Sequence, residues 1–228
     1  ATVKPHATIP SVMAAAKAVL NESQIENGVA VVDLGGATTS VAVFEEGDLQ
    51  YVGVVSMGGV NITNDLAIGL KTDPEIAEKV KLQHAAAIAR SEPRKVSIKH
   101  EKETLFFDQA EIDEIVEARL EEILELVNKE LKKAGRAGQL PSGAVLTGGT
   151  ANLKGIAEYA KSQLGVAARV GKPHGFGGVA DEIDKPHFAA AVGLMLVDAE
   201  AATVRPHGGN TSKKSGGFIK TLLSKFKP

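Results

Sequence analysis

Val32-Asp33-Leu34-Gly35-Gly36-Ala37-Thr38-Thr39 is the stretch on which the fold turns. It follows the apolar run Gly28 to Val32 and leads into Val41-Ala42-Val43-Phe44, so it reads as a glycine turn between two buried strands. A second glycine loop, Val145-Leu146-Thr147-Gly148-Gly149-Thr150-Ala151-Asn152-Leu153, lies more than a hundred residues later. It too follows an apolar run, but it opens onto a helical pattern. A glycine pair lets backbone N–H groups approach an anion with no Cβ in the way. Amides exposed in such turns, or at a helix start, favour phosphate. Taken together, the loops resemble two jaws of one nucleotide clamp.

Working outward, Asp33 ends the strand before the first glycine pair. A carboxylate there suits a water-mediated Mg²⁺ contact or an oriented water, and Thr38 and Thr39 offer hydroxyl donors to phosphate. The competing reading is a plain hairpin turn with Asp33 accepting local N–H bonds. Gly148 and Gly149 stand at a strand-to-helix junction, where α/β proteins place ligands; the alternative is a tight connection. Neither loop is a Walker A sequence, since no Gly-Lys-Ser/Thr follows, and neither carries the dinucleotide fingerprint. Glu78 and Lys81 share one helical face, suited to a ribose hydroxyl and a purine, or else to an exposed ion pair.

The 228 residues suffice for one large domain or two small ones. There is no cysteine, which removes disulfides and thiolate chemistry. Residue 1 is Ala rather than Met, which reads as a processed chain or a fragment. The six histidines are scattered without ligand spacing, and no Ser/His/Asp set assembles, so no catalytic residue is assigned. The net charge of −2 hides an asymmetry: the segment after Glu200 carries six basic and no acidic residues, leaving 20 basic against 28 acidic in the body. That balance argues against nucleic acid as a partner and for a tail that meets an anionic surface.

Periodicity predicts a helix over 11–20 stopped by Asn21-Glu22-Ser23, then strands over 28–34, 40–45 and 49–56 as an antiparallel meander. Helices follow over 61–70 and 75–89, the second opened by Pro74. A small hairpin is expected from 95–99 and 103–106. A long helix over 110–134 is capped by Asp108 and stopped by Gly135 and Gly138. The remainder reads as strand 143–146, helix 152–164, strand 166–170, a glycine-rich loop over 171–178 and a small-residue helix over 188–197. Residues 203–217 are polar and glycine-containing, and read as a flexible linker. Beyond it, Phe218, Ile219, Leu222, Leu223 and Phe226 fall within roughly 140° of a helical wheel. Lys220, Lys225 and Lys227 share the opposite side. Such a helix suits an anionic lipid interface, each lysine adding about 1 kcal/mol; the alternative is a terminal helix docked on its own domain.

These motifs together resemble the actin/sugar-kinase/DnaK-type ATPase superfamily, and within it the FtsA family of bacterial cell-division proteins. The likeness rests on residues 32–39, on 146–153, on Ala77-Glu78-Lys79-Val80-Lys81, and on Gly58-Gly59 followed by Ile62-Thr63-Asn64-Asp65-Leu66-Ala67-Ile68-Gly69-Leu70. Residues 175–182, Ala191-Val192-Gly193-Leu194 and the terminal amphipathic stretch also match. Three positions depart from the pattern: Ala37 in place of a third glycine, Ser40 in place of an acidic residue, and Lys154 in place of proline.

The resemblance implies an α/β, actin-like (ribonuclease-H-like) core with an inserted smaller subdomain. Residues 1–26 would be a connecting helix, 27–61 and 142–198 the nucleotide-binding core, 62–141 the insertion, 199–216 a linker, and 217–228 the membrane-targeting helix. ATP with Mg²⁺ would contact Asp33, Gly35, Gly36, Ala37, Thr38, Thr39, Glu78, Lys81, Gly148, Gly149, Thr150 and Leu153, with weak or no ATP hydrolysis. The family's first half is not recognisable here, and half a clamp is expected to bind ATP poorly. The implied role is a filament-forming tether that holds the tubulin-like FtsZ polymer to the cytoplasmic face of the inner membrane at the division site. Its partners would be the FtsZ C-terminal tail, further copies of itself and anionic lipid. Arg119 is the candidate for capturing a partner carboxylate, with a surface ion pair as the alternative. Two other readings stay open: a PilM-like pilus-assembly scaffold, and a phosphotransferase of the same superfamily.

Overall fold

The computed structural model of the chain describes residues 8–88, 94–177 and 183–204. The amphipathic stretch 217–228 and most of the expected linker lie outside the described residues, as does much of 175–182.

Strands β1 (Val29–Leu34), β2 (Thr39–Glu45) and β3 (Asp48–Val55) form the expected antiparallel meander. β6 (Ala144–Thr147) then pairs in parallel with β1, and β7 (Ala168–Val170) in parallel with β6. The five-stranded order is β3-β2-β1-β6-β7. The ends of β1 and β6 therefore lie side by side, with Asp33 opposite Thr147. This pairing brings the two glycine loops to the same end of the sheet.

Both faces of the sheet are covered, which explains why β1 is almost continuously apolar instead of alternating. On one face Val29, Val31, Ala42, Phe44 and Val145 pack under α1 (Ser11–Val19) and α7 (Ala189–Val204). On the other, Ala30, Val32, Leu34, Val41, Val43 and Leu146 join a larger core. That core continues without a break into α3 (Gly59–Gly69), α4 (Pro74–His84), the β4–β5 hairpin (Lys95–His100 and Glu103–Asp108), α5 (Gln109–Lys133) and α6 (Ile156–Leu164). The period of Ile112, Val116, Leu120, Ile123, Leu124 and Val127 is the buried face of α5. Asp108 caps α5 as expected, accepting from the Ala110 amide.

The first helix stops before Asn21 as expected, and three other boundaries moved. Asn21 also does what was not expected: it exchanges a capping box with Gln24 and opens a separate helix, α2 (Glu22–Asn27). α4 ends at His84 instead of running to Ala89. Ala86 bridges Lys154, and the Ala87 amide donates to the Lys154 carbonyl at 2.8 Å, so a long-range backbone pairing replaces the last turn. The helix expected from Asn152 begins only at Ile156: Thr150–Asn152 is a 3-10 turn, Leu153 is extended and Gly155 is left-handed at φ 79°. The last helix spans Ala189–Val204, well into the expected linker, and α1 holds it through packing and the Lys17–Glu200 ion pair of 2.5 Å.

Candidate functional site

The first glycine loop is closed by its own backbone, with the Gly35 amide donating to the Asp33 and Thr38 carbonyls at 3.1 and 3.0 Å. Gly36, Ala37 and Thr38 are exposed, whereas Thr39 is fully buried. The Thr39 hydroxyl donates to the Met57 carbonyl at 2.9 Å. The sequence reading that offered this hydroxyl to phosphate is therefore corrected: it ties β2 to the entry of α3, and Thr38 keeps the exposed position.

Two segments converge on that loop. The first two amides of α3 are spent on it, Gly59 donating to the Gly35 carbonyl at 2.9 Å and Val60 to the Gly36 carbonyl at 2.8 Å. A Cβ on Gly58 would sit 2.6 Å from both carbonyl oxygens, so glycine is required by closeness of approach. From the second loop, the Thr150 hydroxyl donates to the same Gly35 carbonyl at 3.1 Å. Gly148 has φ 86°, and a Cβ there would lie 2.4 Å from the Leu34 carbonyl and 2.6 Å from Asp33 Oδ1. The two jaws are thus in contact, with Gly149 exposed beside them. Asn152 donates to the Gly149 carbonyl at 2.9 Å and holds the second loop in shape. Leu153 packs its partly buried side chain against the large core.

Asp33 sits under the contact. Burial pushes its carboxyl up, and the neighbouring Thr147 hydroxyl pulls the other way. Thr147 Oγ1 is buried and lacks full hydrogen-bond geometry to any partner among the described residues. A half-buried carboxylate at this point suits a cation that reaches it through water.

Glu78 and Lys81 form the predicted pair at 2.7 Å, and they form it against the same convergence point. Lys81 Nζ also donates to the Gly59 carbonyl at 3.0 Å and to Thr63 Oγ1 at 2.8 Å. Thr63 donates to Glu78 Oε2 at 2.5 Å or to the Gly59 carbonyl at 3.2 Å. Burial works to raise the Glu78 carboxyl, but hydrogen bonds from Lys81 and Thr63 and the Lys81 charge outweigh it and hold it below the usual range. The i,i+3 ion pair of the alternative reading is therefore present, and it is tied to the rim of the glycine loops, with Lys81 mostly covered and Glu78 partly open to solvent.

Arg119 is elsewhere. Its Nε and Nη2 make a two-pronged bond to Asp65 of α3 at 2.5 and 3.0 Å, and Nη1 reaches Glu122 at 2.7 Å. The guanidinium fork expected to capture a partner carboxylate is already filled by an internal one. The sequence reading missed Thr63 and the docking role of Gly58-Gly59. One signal existed for Thr63: it is a polar residue beside Ile62 on the face of α3 that buries Ile62 and Leu66.

A sequence profile described as "Cell division protein FtsA" matches residues 30–193. The cell division protein FtsA of Bacillus subtilis is 41% identical over 197 residues, covering 85% of this chain and 43% of that protein. FtsA of Pseudomonas aeruginosa is 35% identical over 188 residues (81% and 45%), and FtsA of Escherichia coli 32% over 200 residues (83% and 48%). The chain thus spans about half the length of the curated relatives it matches. Among solved structures, MreB5 of Spiroplasma citri bound to ADP superposes with TM-score 0.69 at 16% identity, covering 87% of this chain and 61% of that one. The PilM–PilN type IV pilus biogenesis complex superposes with TM-score 0.59 at 21% identity, covering 77% and 47%. At such identities the superpositions establish an actin-like fold.

Proposed function

The chain belongs to the FtsA family of cell-division proteins, and from that premise we propose that it binds MgATP at the junction of its glycine loops and tethers FtsZ filaments to the membrane. The observation that carries the nucleotide reading is the meeting of four elements at one point: the Gly35–Thr38 loop, the start of α3, the Gly148–Thr150 loop and the Glu78–Lys81 pair. Exposed amides of Gly36 to Thr38 and around Gly149 would hold phosphate oxygens. Glu78 and Lys81 would flank ribose and purine. Mg²⁺, when bound, would screen phosphate charge; Asp33 would orient its water shell, and a cation there favours the ionised form that burial opposes. Among the described residues there is no cluster of three metal-ligating side chains, so most of the cation's shell would come from phosphate and water.

Weak or no ATP hydrolysis is part of this reading. The tethering role rests on residues 217–228, whose five large apolar residues would share one face if wound as a helix, with lysines in the remainder; such a helix would lie in the lipid interface. Among the described residues no helix is long and apolar enough to cross a membrane. In this reading the protein works on the cytoplasmic face of the inner membrane at the division site, with FtsZ, further copies of itself and anionic lipid as partners. Arg119 would need to exchange Asp65 for a partner carboxylate before it took part. PilM-like and phosphotransferase roles are the weaker readings, the former resting on fold alone.

Calorimetry with MgATP on the full chain tests the nucleotide site. Lys81→Met is expected to weaken binding about tenfold, the loss of a charge-assisted contact. No heat with millimolar MgATP, or an unchanged affinity in Lys81→Met, would sink the site. Sedimentation with phosphatidylglycerol vesicles tests the tether. A chain ending at Gly216 is expected to stay in the supernatant while the full chain pellets; equal partition of both would overturn the lipid role.

A further inference from the structure

We propose that Thr63, a residue of α3 that no glycine loop contains, is the positioning residue that sets the site's preference for a ribose over a deoxyribose. The inference rests on the nucleotide reading above and deepens it. Thr63 is 5% exposed, and its hydroxyl stands at the centre of the Glu78–Lys81 pair. It accepts from the Lys81 ammonium at 2.8 Å and donates to Glu78 Oε2 at 2.5 Å. A hydroxyl has one proton and two lone pairs, so a cation on the accepting side directs that proton towards the carboxylate or the Gly59 carbonyl. The arrangement fixes Glu78 from below. One carboxylate oxygen, Oε2, takes the bonds from Thr63 and Lys81, which leaves Oε1 as the atom for an incoming diol.

The same hydroxyl also couples this rim to the glycine loops. Lys81 and Thr63 both reach the Gly59 carbonyl, and the Gly59 amide donates to the Gly35 carbonyl that also receives Thr150. Glu78 is thereby held in register with the loops that would carry the phosphates. A glutamate on an exposed i,i+3 pair alone would swing through several rotamers and would not separate one hydroxyl more or less. A buried hydroxyl beneath it removes that freedom, and hydrogen-bonding sites with fixed partners are the ones that discriminate strongly.

Thr63→Val keeps the side-chain shape and removes the hydroxyl; Thr63→Ser restores it. Binding of MgATP and of Mg-2′-deoxyATP to the full chain is compared in all three proteins, and the Glu78 carboxyl is titrated by carbon NMR without nucleotide. Thr63→Val is expected to reduce the ATP over 2′-deoxyATP preference about five- to tenfold and Thr63→Ser to retain it. The Glu78 carboxyl should titrate higher in Thr63→Val than in the natural chain or Thr63→Ser. An unchanged preference in a folded Thr63→Val protein overturns the specificity role. An unchanged Glu78 titration overturns the positioning itself. A natural chain that binds neither nucleotide overturns the nucleotide reading and the specificity role with it, while the titration still decides whether Thr63 holds the carboxylate.

Discussion

Asp33 is a single residue whose burial costs the fold something, while the proposed site would use its charge. Burial raises its folded carboxyl pKa above the unfolded value. The sign follows from linkage: a raised carboxyl favours the fold while protonated, and that contribution is lost as pH rises through the folded value. Above its folded value the ionised Asp33 therefore opposes folding. In that range Asp33→Asn should unfold at a higher urea midpoint than the natural chain, and the gap should close as pH falls through the folded carboxyl value. Denaturant titrations across pH check this, and a midpoint for Asp33→Asn that stays below the natural chain's at every pH would contradict it. Glu78 has the opposite sign, since its lowered carboxyl stabilises above the ordinary glutamate range and loses that as pH falls. The pairing of Glu78 with Lys81 was legible because residues three apart share one helical face. The partner of Thr39 was not legible, since its hydroxyl turns to the Met57 carbonyl once β2 and α3 are brought together.

Among the elements, the pairing of α1 with α7 is the tightest. Ala15, Ala16 and Ala18 on one helix share an apolar core with Ala189 and Val192 on the other. A Cβ added to Gly193 would lie 1.7 Å from the Ala14 carbonyl oxygen, so the two backbones touch there. Gly193→Ala should cost about 2 kcal/mol or more despite its better helix propensity, because the helices must separate to admit the methyl. Thermal unfolding followed by far-UV circular dichroism measures it; a variant at least as stable as the natural chain would refute the close approach. The helices themselves were readable, since periodicity and caps are local. The end of α4 was not: Ala85, Ala86 and Ala87 are good helix formers, yet Ala85 is extended and Ala86 and Ala87 pair with Lys154. Pairing with a segment far along the chain outweighed propensities of a few tenths of a kcal/mol per residue.

For the whole molecule, one apolar core joins the sheet to α3, α4, α5, α6 and the hairpin, and the second core lies on the opposite face of the same strands. Removing either layer would expose buried β1 residues to water. Unfolding should therefore be one cooperative transition, with circular dichroism and fluorescence of Tyr51 and Tyr159 coinciding. Separate midpoints would show that the segment between β3 and β6 melts by itself.

Local chemistry along the chain determined the meander, the two glycine turns, the Glu78–Lys81 pair and the long helix α5, because each is written in neighbours within one or two turns. The family likeness was equally open to reading, being a matter of residue types at fixed spacing. What only the folded chain decided is which groups meet. Parallel pairing of β1 with β6 sets Asp33 opposite Thr147, the Gly35 carbonyl gathers donors from Gly59 and Thr150, and Asp65 takes the fork of Arg119. Those partners are separated by tens of residues or more, and only burial of both faces of one sheet brings them within hydrogen-bonding distance.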